Sequence, residues 1–360
     1  MASIRTVSLS LAAMAAALSA TPLLADSGMI AGIDVLKTWN LVVLGDLTSS
    51  SEVEGRTFVG GDLNGNSSNY QIQAIPASST GTPGLTVVGD VNGGAKNLNN
   101  GSGAVVGGNV NSGLNLNGAA QTVLVGGSIS NTNVNNNTVT SGLASGDPSF
   151  SQNLTQQASL IETSMTGLSH DMSTQTANSQ LSISGNRGTF DAQPGANGVA
   201  VFNISAADLD KIGEIQFNLN GADTAIVNVS GGSITLNDNF LGGTQNLGEH
   251  VVWNFYEAKD LSLTTAWGGS VLAPGAAATT GNYIQGSAVF GSLVQNGEMH
   301  VGTYTGNYTP TPSDPGTPTE GSSSSSSSGG TEVPEPGMLG MLAAAVGGLM
   351  YWRRRRASAA

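Results

Sequence analysis

Asp46, Asp62 and Asp90 each follow a glycine at the same place in a short recurring pattern: Val43-Leu44-Gly45-Asp46, Val59-Gly60-Gly61-Asp62 and Val87-Val88-Gly89-Asp90. Carboxylates repeated in this way are hard oxygen ligands that could stack into an acidic ladder for Ca2+. They are also the side chains that cap backbone N–H groups at turns, and capping is the favoured reading. Glu52, Glu54 and Arg56 alternate along an extended segment and so share one face, which reads as ion-paired and solvated. His300 follows Glu298 by two residues, which reads as a structural pair on the last rung, whereas His170 and His250 lie far away in sequence. No cysteine, clustered histidine, phosphate loop or serine elbow is present, so no catalytic set is expected, and Asp46, Asp62 and Asp90 are the candidates for an ion, Ca2+.

Composition narrows the function classes further. The 360 residues include 51 glycines, 5% aromatic and 10% charged residues, a chain of tight turns and short strands. The formal net charge is −13, and between the two ends the only basic residues are Lys37, Arg56, Lys96, Arg187, Lys211 and Lys259. Such an acidic chain excludes nucleic acid as a partner.

The elements that must carry these residues follow from the repeat. The pattern continues as Val105-Val106-Gly107-Gly108-Asn109 and Val123-Leu124-Val125-Gly126-Gly127-Ser128, with steps of 16, 28, 19 and 19 residues between the last positions. Strands of fixed length joined by turns that accept insertions predict an all-β, right-handed β-solenoid or β-helix-like fold. Asn-rich stretches at 97–100 and 131–137 suit its corners. One segment breaks the pattern: Asp147-Pro148 opens a helix over about 148–173, with Phe150, Leu154, Ile161, Met165, Leu168 and Met172 at three- and four-residue steps. At roughly 1.5 Å per residue this helix is about 40 Å long, enough to cover an apolar flank of the solenoid. Strand-like alternation resumes over 198–204, 213–219, 224–229, 233–236 and 251–256, and further rungs follow over 269–300.

The two ends agree on a topology. Arg5, an apolar run from Val7 to Ala20 and small residues up to Ala25 form a secretory signal over 1–25, cleaved after Ala20 or Ala25. Residues 26–308 form the domain, and the Pro- and Ser-rich stretch 309–332 is a linker. Val333, Pro334, Glu335 and Pro336 then precede an apolar helix over 337–352 and the cluster Arg353, Arg354, Arg355 and Arg356. Sixteen helical residues span roughly 24 Å, a short transmembrane helix whose arginines stay in the cytoplasm. This tail, 333–360, resembles the PEP-CTERM sorting signal, which implies an exosortase-type membrane protease as partner, an inner-membrane-anchored intermediate and final display at the cell surface or in the matrix.

The domain carries its own resemblance. Trp39 to Leu47, Ser51 to Arg56 and Val59 to Asp62 at the start, with Val252 to Phe255, Gly269 to Pro274, Gly286, Gly291 to Leu293 and Gly297 to His300 at the end, are similar to the choice-of-anchor A family. That resemblance implies a non-enzymatic bacterial surface adhesin, with an extracellular polysaccharide or a host or matrix protein as ligand. The alternative is a solenoid polysaccharide lyase, which needs paired carboxylates, Ca2+ and a basic residue in one groove. An ice-binding solenoid needs a regular Thr-x-Thr ladder, and the threonines are scattered along the chain.

Overall fold

The computed structural model describes residues 29–310. The signal segment, the linker beyond residue 310, the 333–336 motif, the apolar span and the four arginines at 353–356 lie outside the described residues. Among the described residues no helix is long and apolar enough to cross a membrane.

Glycine and asparagine corners keep every strand before the long helix to between two and four residues, so none is stable alone and each depends on the rungs above and below. Most rungs stack as parallel sheets on three faces, and a separate four-stranded sheet pairs Gln180–Ser184 antiparallel with Arg187–Asp191 and then adds Glu214–Asn218 and Asn239–Phe240 in parallel. The first face runs Thr138–Thr140, Thr122–Val125, Ala104–Val106, Leu85–Val87, Thr57–Val59, Leu41–Val43, Ala288–Gln295, Ser270–Thr280, Val251–Asn254, Thr224–Ser230 and Val199–Ser205. The second face uses Leu63–Asn64, Leu47–Ser49, the later halves of Ala288–Gln295 and Ser270–Thr280, then Asp260–Leu263 and Ser233–Leu236. Single bridges through Val91, Val110 and Ile129 extend it. The third face runs from Leu114–Leu116 through Lys96–Leu98, Ser68–Tyr70, Glu52–Val53, Met299–His300 and Ile284–Gln285 to Trp267–Gly268. This is the mostly β, solenoid-like architecture with one long helix that the repeat predicts.

Rung order departs from chain order. The chain enters at mid-stack with Leu41–Val43, climbs to one end, crosses back along the long helix, and returns from the other end until Ala288–Phe290 pairs with Leu41–Val43. His300, expected on a terminal rung, therefore lies on an interior one, because its strand pairs with Ile284–Gln285 and with Val53. The last rung along the chain is not an end of the stack.

The long helix is Ser149–Ser173. It starts just after Pro148, with Asp147 Oδ1 accepting from the Ser149 N–H at 2.9 Å. Twenty-five residues give roughly 37 Å, and the helix has to travel from Gly126, under Phe150, to Asn228, whose amide reaches Met172 O at 2.7 Å. Those points are eight rungs apart, or about 38 Å at the usual strand spacing. Helix length and stack height agree. Ile161, Met165, Leu168 and Met172 pack with Val42, Phe58, Ile226, Val252, Leu272 and Val289 in a second core outside the solenoid. First-face strands are consequently buried on both sides, as the run Leu41-Val42-Val43 shows.

Buried polar groups stitch the seam where the two chain halves meet. Asn40 Nδ2 donates to Gly286 O at 2.7 Å and to His300 O at 3.0 Å, while its Oδ1 accepts from the Gly55 N–H at 3.0 Å. Ser49 Oγ donates to Gln295 Oε1 at 2.8 Å, and Gln295 Nε2 donates to Glu52 O at 3.0 Å. Replacing Asn40 with alanine strands two buried backbone groups, Gly286 O and the Gly55 N–H, at about 1–3 kcal/mol each, while His300 O keeps the Gly286 N–H. We expect Asn40→Ala to lower unfolding free energy by at least about 2 kcal/mol in urea titrations, and exposed Thr48→Ala to change it by less than about 0.5 kcal/mol.

Candidate functional site

The aspartate repeat of the sequence stacks on the second face. The Asp62 N–H donates to Asp46 Oδ1 at 2.8 Å, the Asp90 N–H to Asp62 Oδ1 at 2.7 Å, the Asn109 N–H to Asp90 Oδ1 at 2.5 Å and the Ser128 N–H to Asn109 Oδ1 at 2.9 Å. Each side chain therefore caps the corner of the next rung. The preceding glycine has a steric reason: a Cβ at Gly61, Gly89, Gly108 or Gly127 would collide with that same Oδ1 from the rung below. Beside this ladder runs an amide ladder, with Asn92 Nδ2 donating to Asn64 Oδ1 at 3.1 Å and Asn111 Nδ2 to Asn92 Oδ1 at 2.8 Å. Among the described residues no group of three or more His, Cys, Asp or Glu is placed to hold a metal ion.

Beyond the seam the same two outward positions change chemistry. In register they read Ser233, Asp260, Ala277 and Ser292 in one line and Thr235, Ser262, Thr279, Val294 and Thr48 in the other. Every intervening side chain, Ile234, Leu261, Ala278, Leu293 and Leu47, points into the core. The outcome is an open, shallow groove of hydroxyl and methyl groups with two carboxylates, Asp46 and Asp260, spaced about 4.8 Å between rungs and about 6.7 Å along them. Threonines scattered over 230 positions of sequence thus converge on one surface. Local periodicity cannot reveal this, because the register depends on which distant strands become neighbours.

The other residues singled out in the sequence lie elsewhere. Glu52 and Glu54 sit on the third face, but Arg56 turns away to donate to Thr82 O at 3.3 Å and to Pro76 O. The expected ion-paired face is therefore replaced by amide partners: Asn69 Nδ2 donates to Glu52 Oε1 at 3.0 Å. His300 Nε2 and Glu298 Oε2 are 2.8 Å apart, with Tyr283 stacked on the imidazole at 4.3 Å. His170 lies on the long helix, and His250 Nδ1 pairs with Asp223 O at 2.9 Å.

Two buried ionisable groups escaped the sequence reading. Lys96 is fully buried, its Nζ donating to Asn66 O at 2.6 Å and Gly65 O at 3.2 Å, and burial lowers its pKa to about 8. Asp238 is 1% exposed with Oδ1 lacking a partner, and burial raises its pKa to about 6. Nothing in the local sequence distinguishes either from a turn residue. They stand on different parts of the chain and form no joint site.

A family profile described as "Putative Ice-binding-like adhesive domain" matches residues 32–301. No curated protein matches the chain. Among solved structures it is similar to an ice-binding protein from the Antarctic ascomycete Antarctomyces psychrotrophicus, at 10% identity and a TM-score of 0.28, over 77% of this chain and 99% of that one. The profile's description differs from choice-of-anchor A, and the two agree on an adhesin-like module.

The capping geometry separates two substitutions. Asp62→Asn keeps an oxygen for the Asp90 N–H and should leave the melting temperature within a degree or two, whereas Asp62→Ala removes it and should cost about 1 kcal/mol. Adding Ca2+ or a chelator should move neither melt; a Ca2+ shift that Asp62→Asn abolishes would assign the ladder to calcium instead. Asp238 gives a pH test. Its raised pKa means that the folded state binds the extra proton between pH 6 and 3.8, so this group's penalty is present at pH 7 and fades on acidification. Asp238→Asn should therefore melt higher than the wild type at pH 7, with the gap shrinking by pH 4.

Proposed function

The chain belongs to the ice-binding-like adhesive domain family, and from that premise we propose that it is a non-enzymatic adhesive module displayed outside the cell. Its binding surface is the second face. The observation that carries this reading is the two-line array Ser233, Asp260, Ala277, Ser292 beside Thr235, Ser262, Thr279, Val294, Thr48, held on a rigid parallel lattice. Short side chains lose little rotamer freedom on binding, so a flat, pre-ordered array binds an extended surface through many weak contacts. Asp46 and Asp260 are the ionisable side chains lining the groove, and no basic side chain joins them there, which suits adhesion and disfavours a lyase. The ligand class is an extracellular polysaccharide or matrix surface.

A second reading, ice, is favoured by one specific feature: in the line Thr235, Ser262, Thr279, Val294, Thr48 every member offers a hydroxyl, a methyl or both at lattice spacing, the arrangement that orders water. Delivery follows from the ends of the chain. The signal over 1–25 exports it, the solenoid winds right-handed as crossover sterics favour, and the tail resembling PEP-CTERM hands it to an exosortase-type protease, in keeping with the choice-of-anchor A resemblance.

The test uses the full chain on isolated exopolysaccharide matrix and, separately, in an ice recrystallisation assay. Thr279→Arg places a long cation in the middle of the array and should cut retention roughly tenfold or more, while Asn115→Arg on the third face should leave it unchanged. Equal effects of both variants, or no retention of the wild type on either solid, would remove the second face as the binding surface. Recovery of the mature polypeptide in the cytosol would remove surface display.

A further inference from the structure

The described chain ends in a segment that no function above uses. Residues 301–308, Val-Gly-Thr-Tyr-Thr-Gly-Asn-Tyr, alternate strictly: Gly302, Tyr304, Gly306 and Tyr308 face inward, and Thr305 and Asn307 face out. Tyr304 and Tyr308 are 1% and 5% exposed and belong to the outer core shared with the long helix and first-face residues Val199, Ile226 and Val252. The segment forms no strand, and it runs across the rungs instead of along them. From His300 at the seam it passes Glu249, where the Thr305 N–H donates to the carbonyl at 3.0 Å. It then meets Asp223, where Asn307 N donates to Oδ2 at 2.6 Å and Asn307 Nδ2 to Oδ1 at 3.3 Å. It ends at the last turn of the helix, where Tyr308 Oη donates to Asp171. Tyr304 Oη and Thr224 Oγ1 pair at 2.6 Å inside it, and Gly306 is required because a Cβ there would collide with both oxygens.

We propose that this strap is the mechanical joint of the protein, a segment that yields to tension on the C-terminal side before any rung of the solenoid does. Everything after residue 309 is covalently connected to the domain only through it. A pull on Thr309 meets Tyr308 and Asn307 first, then Thr305 and Tyr304, in series. Each of these contacts is local and few in number, so they rupture one after another. The rungs behind them share load through continuous parallel ladders and two cores, which break only together. Peeling the strap frees eight residues without disturbing Thr235 or Thr279 on the second face, so the adhesive surface stays intact while the tether lengthens. The use of this joint on a cell rests on the surface-display reading; the order of rupture does not.

The native sequence has no cysteine, so two introduced thiols give unique handles. The full chain in detergent, carrying Ser130→Cys on the far end of the stack and Ala360→Cys, is stretched in optical tweezers. The expected record is an early step of about 2–3 nm, the span of eight extended residues, followed at higher force by loss of the solenoid. Tyr308→Phe and Asn307→Ala, both on the strap and away from the rungs, should each speed the early step roughly three- to tenfold at constant force and leave the later transition where it was. Absence of the early step, or variants that move the later transition and not the early one, would overturn the joint. Because the measurement involves no cells, that failure is distinguishable from failed export or failed retention on matrix.

Discussion

The structure depends on one pairing: Leu41–Val43 against Ala288–Phe290, two segments nearly 250 positions apart in the chain. A solenoid that starts in mid-stack has two growing halves, and neither half has a finished edge until the other arrives. Main-chain hydrogen bonds close the gap on the first face, Leu47–Ser49 with Leu293–Gln295 on the second, and Val53 with Met299 on the third. The seam also buries Asn40, Ser49 and Gln295, whose amides and hydroxyl fit carbonyls from both halves. Apolar side chains there would tolerate a one-rung slip; directional buried hydrogen bonds do not. The long helix supports the same register from outside, because a helix with one turn fewer would not reach Asn228.

The two halves solve the filling of the solenoid differently. Before the helix the interior is a column of valines and leucines, Val43, Val59, Val87, Val106 and Val125 on one wall, set by repeats of nearly equal length. After it the column widens around Phe190, Phe202, Phe217, Trp253 and Trp267, whose rings meet edge to face, stacked or tilted at 4.8–6.1 Å. Larger rings need longer strands to enclose them, and strands of up to eleven residues occur only in this half. The helix interface follows suit. Near its start Gly107 and Gly126 let Leu154 and Phe150 approach the backbone, and near its end Asn228 and Asn254 donate to the helix carbonyls of Met172 and Ser169 while Asn203 donates to Gln175 O just past the helix.

These differences explain what was legible in the sequence. The repeat before the helix was readable because one chemical requirement, a small residue beneath an oxygen of the rung below, recurs at every corner and forces Gly followed by Asp, Asn or Ser. The helix was readable because its stripe faces a single long surface. Stack order was not, since nothing local in Leu41-Val42-Val43 specifies Ala288-Val289-Phe290 as its neighbour. The candidate face was hidden for the same reason: Thr48, Thr279 and Thr235 acquire their common line only through register set at the seam. Arg56 was misplaced because alternation gives the face of a strand, whereas the strand ends at Val53 and the chain has turned before Arg56.

Adhesion through such a face needs rigidity more than reactivity. Binding an extended solid by hydroxyls and methyls gains little per contact, so any freedom left in the array subtracts from a small total. Here the outward residues alternate with Ile234, Leu261, Ala278, Leu293 and Leu47, each locked in the core, and adjacent rungs are fixed by parallel ladders. The spacing of the array is therefore a property of the backbone, and side chains can vary in size and polarity without altering it. That accounts for the gradient from Asp and Asn on one side of the seam to mainly Ser, Thr, Ala and Val, with Asp260 among them, on the other: the corner oxygens before the helix are committed to capping the next rung, while the longer strands after it satisfy their own backbone and leave the same positions free to face outward.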